Sequence, residues 1–493
     1  MASCVRKGAK AMKRRWLAGA LTLFLLLATM PVYHAADRVA DGAARVQEIL
    51  DLLSRHHVSG VSVKALEDGA IRGMLAVLKD PYTQYFTDEE WERFRQAVEN
   101  EFVGIGITVR QEGARFFVER VVPQSPAAAG GLEAGDEIVA VDGKAASALS
   151  FEEFLARVRG PEGTAVTLTL RRGGRLLAPV TLTRKRIHLP DVEFTRMEGN
   201  IGYIRLATFG TQTGQAFANA LRLLKQPPGM RALILDLRGN GGGLLKTARQ
   251  IAAQFFPEGV LMYTKNRYGL EEAEWVRGGT AIGVPVMVLV DQGSASASEV
   301  LAGALRDNLP QHVKLIGTRT FGKGSVQNVV ELKSGGVLKV TIEEYMTPKK
   351  RPVNHVGLQP DRVATGALAP VVAALREVQA DAIRVVFTPE RATVNNAPIF
   401  AGKDGLAEGG RWYVRDALLA ELVGGRASWD AKRRAVTLAK GERRLVLPAG
   451  DQRLRDAGGL LYVEVAAFAR VFPELRVVKA DGRTLELRVQ LNR

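Results

Sequence analysis

Cysteine is almost missing from this chain of 493 residues: there is one, Cys4, and it precedes the first apolar run. Beyond that run the protein can form no disulfide and has no thiol for nucleophilic chemistry, and Cys4 stands on the wrong side of the run for lipid attachment at a cleavage site. Histidine is scarce too, six in all with none after His355. No stretch interleaves basic residues with aromatics, the pattern a nucleic-acid surface requires, so nucleic acid is not expected as a partner. The net charge of +16, from 68 basic and 52 acidic residues, is diffuse and reads as a solvated basic surface, with attraction to anionic membranes left open. The composition that remains is that of an ordinary globular protein, long enough for several domains.

Six positive charges, Arg6, Lys7, Lys10, Lys13, Arg14 and Arg15, stand unopposed ahead of an apolar run at 16–29. A basic head before such a run is a secretory signal or an uncleaved signal-anchor, and the charge order places the bulk of the chain outside the cytoplasm. The run is short for a membrane span of about 20 residues. Residues 1–36 are assigned to this segment, and a membrane tether through it stays open.

Between 37 and 100 the spacing of Val46, Ile49, Leu50 and Leu53, and of Leu66, Ile71, Met74, Leu75 and Leu78, predicts helices. Asp80-Pro81 stops the second, and Thr87-Asp88-Glu89-Glu90 caps a third over 89–98. Such an arm either packs on its own domain or forms a homodimer. Residues 101–186 change character. Val103-Gly104-Ile105-Gly106-Ile107 is a glycine-spaced strand entry, Ser125-Pro126-Ala127 opens a short helix, and 135–143 is a strand closed by an Asp-Gly turn. A helix over 151–159 and two last strands complete a series that resembles a bacterial-type PDZ domain. That resemblance implies that backbone amides of Val103, Gly104, Ile105, Gly106 and Ile107 hold a peptide's terminal carboxylate while the peptide extends the sheet edge.

Residues 187–380 alternate strands and helices, the order of an α/β layered domain with crossovers. Residues 381–493 read as short strands with Asn, Asp and Gly turns. Within them Trp412-Tyr413-Val414, Ser428-Trp429-Asp430 and Val436-Thr437-Leu438 resemble the small N-terminal module of some copper amine oxidases, without histidines for a copper site and with a binding or spacer role. The expected fold class is multidomain α+β: a helical N-terminal arm, a PDZ domain, an α/β core and a small β-rich C-terminal domain.

Three elements of the α/β core carry chemistry. After the β-branched run at 286–290 come Ser294, Ser296 and Ser298, alternating with alanines. Ser296 and Glu299 fit a capping box, which puts Ser298 in the first turn of a helix, where free amides and the positive dipole end favour a developing oxyanion. Ser294 and Ser296 read as turn and cap residues. Lys323 lies between two glycines and could act as a general base if a desolvated pocket, walled by Phe321 and Val326, lowered its pKa. Gly317 to Lys323 also matches a P-loop up to its lysine, but Gly324 and a β-branched continuation argue against nucleotide. The third element, Asp236 to Gly243, is a glycine-rich turn whose amides could approach a substrate carbonyl.

Together with Asp80-Pro81-Tyr82-Thr83, Tyr345-Met346-Thr347-Pro348 and Gly357-Leu358-Gln359-Pro360-Asp361, these motifs resemble the carboxyl-terminal processing peptidases, or tail-specific proteases. The resemblance implies an extracytoplasmic serine endopeptidase that cleaves proteins near their C-termini through a Ser-Lys dyad. It assigns Ser298 as nucleophile, Lys323 as base, Gln327 as the residue orienting the lysine, and the amides of Gly242 and Glu299 as oxyanion donors. Gly241 stands where the family usually has proline. Four residues of extended strand span about 13 Å, so Gln327 reaches Lys323 only if the chain turns at Gly324-Ser325. No metal or cofactor is implied; the expected partners are protein or peptide C-termini. The other class of reading is a non-catalytic PDZ scaffold that binds exported tails without cutting them.

Overall fold

A computed structural model of the chain describes residues 39–389, 391–399 and 404–491. Cys4, the basic head and the apolar run at 16–29 lie outside the described residues. Among the described residues no helix is long and apolar enough to cross a membrane. The chain divides into two compact units, Met1–Phe86 with Val329–Val340, and Thr87–Asn328 with Thr341–Arg493.

In the first unit helices span 39–56 and Val63–Val77, the latter capped by the Ser62 hydroxyl, which accepts from the Ala65 amide. The Asp80 carboxylate then accepts from the Tyr82 amide and the Thr83 hydroxyl, a turn that directs the strand Gln84–Phe86 into antiparallel pairing with 337–339. The amphipathic spacing is present, yet helix Val63–Val77 buries none of its residues and Met74 is 62% exposed.

The second unit opens with helix Asp88–Val98, whose Thr87–Glu90 capping box is complete. A two-stranded ladder of Glu101–Gly104 with Lys185–His188 brings entry and exit of the next module together. Inside it a sheet runs in the order Ile107–Glu112, Arg115–Val121, Glu137–Val141, Ala165–Arg172, Arg175–Leu176, so Ile107–Glu112 is an edge strand. Asp142 and Gly143 both take positive φ, +49° and +74°, as a two-residue hairpin turn requires. Phe116 stacks on Phe154 of helix Phe151–Val158 with centroids 4.2 Å apart.

The central sheet is six-stranded: Val192–Met197, Ile201–Leu206, Ala232–Asp236, Val286–Val290, Val313–Gly317 and Arg362–Val363. All pairings after the first are parallel. Its middle strands are apolar on both faces because both are covered. Leu233, Leu235, Val286 and Val288 pack with Phe217, Ile251 and Leu301 from helices Thr213–Lys225, Leu245–Ala252 and Ala297–Asn308. Ile234, Met287 and Leu289 pack instead with Val371 and Leu375 of helix Ala369–Glu377 and with the C-terminal module. That module contains two hairpin–helix–hairpin passages, with helices Asp416–Val423 and Val465–Val471; strands Arg411–Arg415 and Leu460–Glu464 pair antiparallel between them.

Candidate active site

Three loops leave the carboxyl ends of adjacent parallel strands, the place where open α/β sheets gather reacting groups. The loop after Val286–Val290 carries the serines. Asp291 Oδ1 accepts from the amides of Gly239 and Gly293, each at 2.9 Å, which ties this loop to the glycine loop. The Ser294 hydroxyl is buried and donates to the Leu237 carbonyl at 2.8 Å. The Ser298 hydroxyl is also wholly buried, and donates to the Asn240 carbonyl at 2.8 Å. Ser296 differs from both. It is only half-buried, and it sits at φ +56°, ψ −117° where the chain turns from strand to helix, a conformation costing about 1–3 kcal/mol in a residue with a Cβ. A serine held in a strained strand-to-helix turn is how α/β hydrolases expose a nucleophile.

The glycine loop follows Ala232–Asp236. Its base is a buried cluster: the Tyr203 hydroxyl donates to Asp236 Oδ2 at 2.7 Å, and Arg238 donates to both oxygens of the same carboxylate. Burial pushes the Asp236 carboxyl up, but the charge and hydrogen bonds of Arg238 and the bond from Tyr203 outweigh it and hold the pKa below the ordinary value. Gly242 has φ +101°, and a Cβ there would stand 2.7 Å from the Ala295 carbonyl oxygen and 2.9 Å from Ser296 Cβ. The close approach of the two loops therefore depends on that glycine. Its amide donates to Asn240 Oδ1 at 2.9 Å, and Asn240 in turn donates to the Leu206 carbonyl.

The third loop, after Val313–Gly317, carries Lys323. The Phe321 amide donates to the Ser294 carbonyl at 3.0 Å. The Phe321 side chain is 57% exposed, so more than half of it faces solvent; Val326 packs against the core. A Cβ at Gly324 would stand 2.1 Å from the Asn354 amide nitrogen. Strand Ser325–Glu331 follows, not a helix, so the P-loop match lacks its helix N-terminus. Gln327 donates to Ser325 Oγ at 2.8 Å, two residues back on the same face and toward the lysine end of the strand.

Glu299 joins the loops in a way that its spacing did not announce. Its Oε2 accepts from the amides of both Ser296 and Lys323 at 2.9 Å, so those two nitrogens are no farther apart than twice that distance. Oε1 accepts from Thr320 Oγ1 at 2.5 Å and from the Gly322 amide at 2.8 Å. Tyr345 adds a bond from its hydroxyl to the Ser296 carbonyl at 3.1 Å and one from its amide to the Gly324 carbonyl at 2.8 Å. Among the described residues no group of three or more His, Cys, Asp or Glu side chains is arranged to hold a metal.

Away from these loops, a cleft of about 460 Å³ is lined by Gly104, Ile105, Gly106 and Ile107 on one side and by Phe151, Leu155 and Val158 on the other. It runs beside the edge strand Ile107–Glu112. Gly106, at φ +86°, allows the approach, since a Cβ there would stand 2.2 Å from Ser125 Cβ. Val103 does not line the cleft; it pairs with Arg186 in the two-stranded ladder.

Comparison with known proteins agrees with this layout. A model of peptidase family S41 matches residues 200–364, a PDZ domain model matches 117–172, and a model of the activating protease CtpB N-terminal domain matches 30–90. A carboxyl-terminal-processing protease of Synechocystis sp. is 39% identical over 301 residues, 60% of this chain and 70% of the relative. The carboxy-terminal processing protease CtpB of Bacillus subtilis is 31% identical over 340 residues, 68% of this chain and 70% of the relative. The solved structure of a photosystem II D1 C-terminal processing protease, 31% identical, aligns with 65% of this chain and 92% of its own at a TM-score of 0.40. With that identity over more than two thirds of both of these curated relatives, the chain belongs to the carboxyl-terminal processing proteases of peptidase family S41 and is a serine-type peptidase with a PDZ domain.

Proposed function

We propose that the protein is an extracytoplasmic endopeptidase that captures the C-terminal tail of a protein substrate in the cleft beside Ile107–Glu112 and cleaves near that tail with a Ser-Lys dyad. The nucleophile in this reading is Ser296 and not Ser298. The observation that carries it is the contrast among three serines in one loop. Ser294 and Ser298 are buried with hydroxyls committed to backbone carbonyls, whereas Ser296 is the half-buried one held in a strained turn beside Gly242. Lys323 is the base, because a single Glu299 oxygen holds its backbone and that of Ser296 together. Neutral Lys323 takes the Ser296 proton as the serine oxygen attacks the peptide carbonyl, then returns it to the leaving amine. The resulting ester is hydrolysed by a water that the same lysine deprotonates.

The oxyanion is assigned to the Ala297 amide, in the first helical turn, where amides have no acceptor four residues back. The Glu299 amide lies two residues deeper and is replaced in this role. Gly242 joins as second donor when its amide leaves Asn240 Oδ1. Gln327 orients the lysine from the Ser325 side. The extracytoplasmic location rests on the basic head and apolar run at the N-terminus. The test is a fluorophosphonate probe on the full chain together with cleavage of a C-terminally tailed protein. Ser296→Ala and Lys323→Ala abolish cleavage, and probe labelling is lost in Ser296→Ala. Labelling that survives Ser296→Ala and disappears in Ser298→Ala returns the nucleophile to Ser298; tail binding without any cleavage by the wild type leaves a non-catalytic scaffold.

A further inference from the structure

We propose that Glu299 is a positioning residue whose side-chain carboxylate, by accepting from Ser296, Thr320, Gly322 and Lys323 at once, holds the nucleophile turn and the lysine loop as one rigid unit. This rests on the dyad reading above and assigns to the side chain a part that the reading does not use. An ionised carboxylate is an acceptor-only group with about four lone-pair sites, and here four donors fill them. The group is 1% exposed, so water does not supply the alternative partners.

A helix cap alone does not account for the arrangement. Capping requires only the bond from Glu299 back to the Ser296 amide; the other three reach 21 to 24 residues along the chain, into the loop that carries the lysine. The opposite side of Ser296 is held as well, since its carbonyl accepts from the Val300 amide at 2.9 Å and from the Tyr345 hydroxyl. The strained backbone of Ser296 is thus fixed from both its amide and its carbonyl, and the lysine loop is fixed through the same carboxylate. Burial pushes the Glu299 carboxyl above the ordinary value, more than its hydrogen bonds pull it down. The protein keeps an unfavourable buried acid where an uncharged acceptor could not bind four donors.

Replacement by glutamine preserves shape but turns one end into a donor. That NH₂ must then face either the Ser296 and Lys323 amides or Thr320 and Gly322, so two acceptor sites are lost whichever way the amide sits. The dyad geometry loosens while the tail cleft is untouched. Misplacement of reacting groups by about 1 Å costs on the order of 100-fold in rate, so a loss of roughly ten-fold or more is the expected scale.

The experiment measures probe acylation, kcat and KM on a tailed substrate, tail-peptide affinity and thermal stability for the full chain. Glu299→Gln lowers acylation and kcat by about ten-fold or more, with KM and tail affinity within roughly two-fold of wild type. Thr320→Val, which removes one of the four donors to Glu299 together with the acceptor of the Leu358 amide, lowers acylation in the same direction by a smaller factor and stays folded. Wild-type acylation in folded Glu299→Gln overturns the proposal. Should Glu299→Gln fail to fold, Thr320→Val decides, and unchanged acylation there overturns it equally. Ser296→Ala and Lys323→Ala, run alongside, report on the dyad by itself: activity retained in either shows that the dyad reading has failed, whatever Glu299 does.

Discussion

At the scale of the residue, the decisive distinction lies between two serines two positions apart. Ser298→Ala removes a buried hydrogen bond to the Asn240 carbonyl, which still accepts from the Ala295 amide at 3.0 Å. The expected cost is about 1 kcal/mol, and probe labelling stays within a few-fold of wild type. Ser296→Ala removes the proposed attacking oxygen and is expected to lower cleavage by at least about a thousand-fold with little change in melting temperature. Gly242→Ala tests the contact between the loops: its Cβ would meet the Ala295 carbonyl at 2.7 Å in a backbone of positive φ, a strain of about 1–3 kcal/mol. Acylation kinetics of that variant should fall even where circular dichroism shows it folded. The alternating serines, the glycine-flanked lysine and the glycine loop are all plain in the sequence. What distinguishes the serines is not, because the partner of the Ser298 hydroxyl is a carbonyl 58 residues away and the feature that favours Ser296 in the proposed reading is a backbone angle.

At the scale of the element, strands written in β-branched runs are legible by themselves. Val286–Val290 emerges with the boundaries its composition predicts, since a strand covered on both faces needs apolar side chains at every position. Tertiary partners decide what composition cannot. Helix Asp88–Val98 reads as part of the N-terminal arm, yet it belongs with the second unit, where the Thr208 hydroxyl donates to the Val98 carbonyl and Thr211 donates to Glu99. The two passages of the C-terminal module share a Tyr-Val pair at matching places, Tyr413-Val414 and Tyr462-Val463, a repeat that becomes evident only when both pairs enter one ladder.

Two predictions belong to elements. Asp236→Asn strips the buried Arg238 of its counter-charge at the base of the glycine loop, and a broken buried pair costs about 3–5 kcal/mol; chemical denaturation should show it. Glu474, in the turn that follows helix Val465–Val471, is tied to a hairpin through Lys440 and Arg443. Burial pushes its carboxyl up, but those two cations outweigh burial and hold it at about 2. A depressed carboxylate contributes stability above its unfolded pKa that is lost as pH falls toward 2. Its partners are about a third or more exposed, so the effect is on the order of 1 kcal/mol. Glu474→Gln should therefore destabilise the protein at neutral pH, with the difference in melting temperature shrinking as pH falls toward 2.

At the scale of the whole molecule, the question is whether the cleft proposed to capture the tail only delivers substrate or also sets the state of the proposed dyad. Both routes have a physical basis. The cleft is built from Gly104, Ile105, Gly106 and Ile107 facing Phe151, Leu155 and Val158, so an apolar last side chain has a pocket and the edge strand Ile107–Glu112 has open backbone groups for an added strand. The cleft is also lined by Ala97 and Asn100, which flank Val98 and Glu99, and the single proton of Thr208 Oγ1 is shared between the Val98 and Gly242 carbonyls. A side-chain link between cleft and glycine loop does not by itself create two states, because coupling requires an element with two arrangements that both sites bias. Delivery is therefore the expectation. Gly106→Ala, whose Cβ would stand 2.2 Å from Ser125 Cβ, deforms the cleft without touching the loops that hold Ser296 and Lys323. It should raise KM for a substrate with an apolar tail by about ten-fold, the scale of 1.4 kcal/mol of lost tail binding. The kcat for that substrate, and acylation by a small probe that has no tail, should be unchanged. If probe acylation falls with KM, delivery alone is wrong, and Thr208→Val should then separate the two effects by restoring tail-independent acylation.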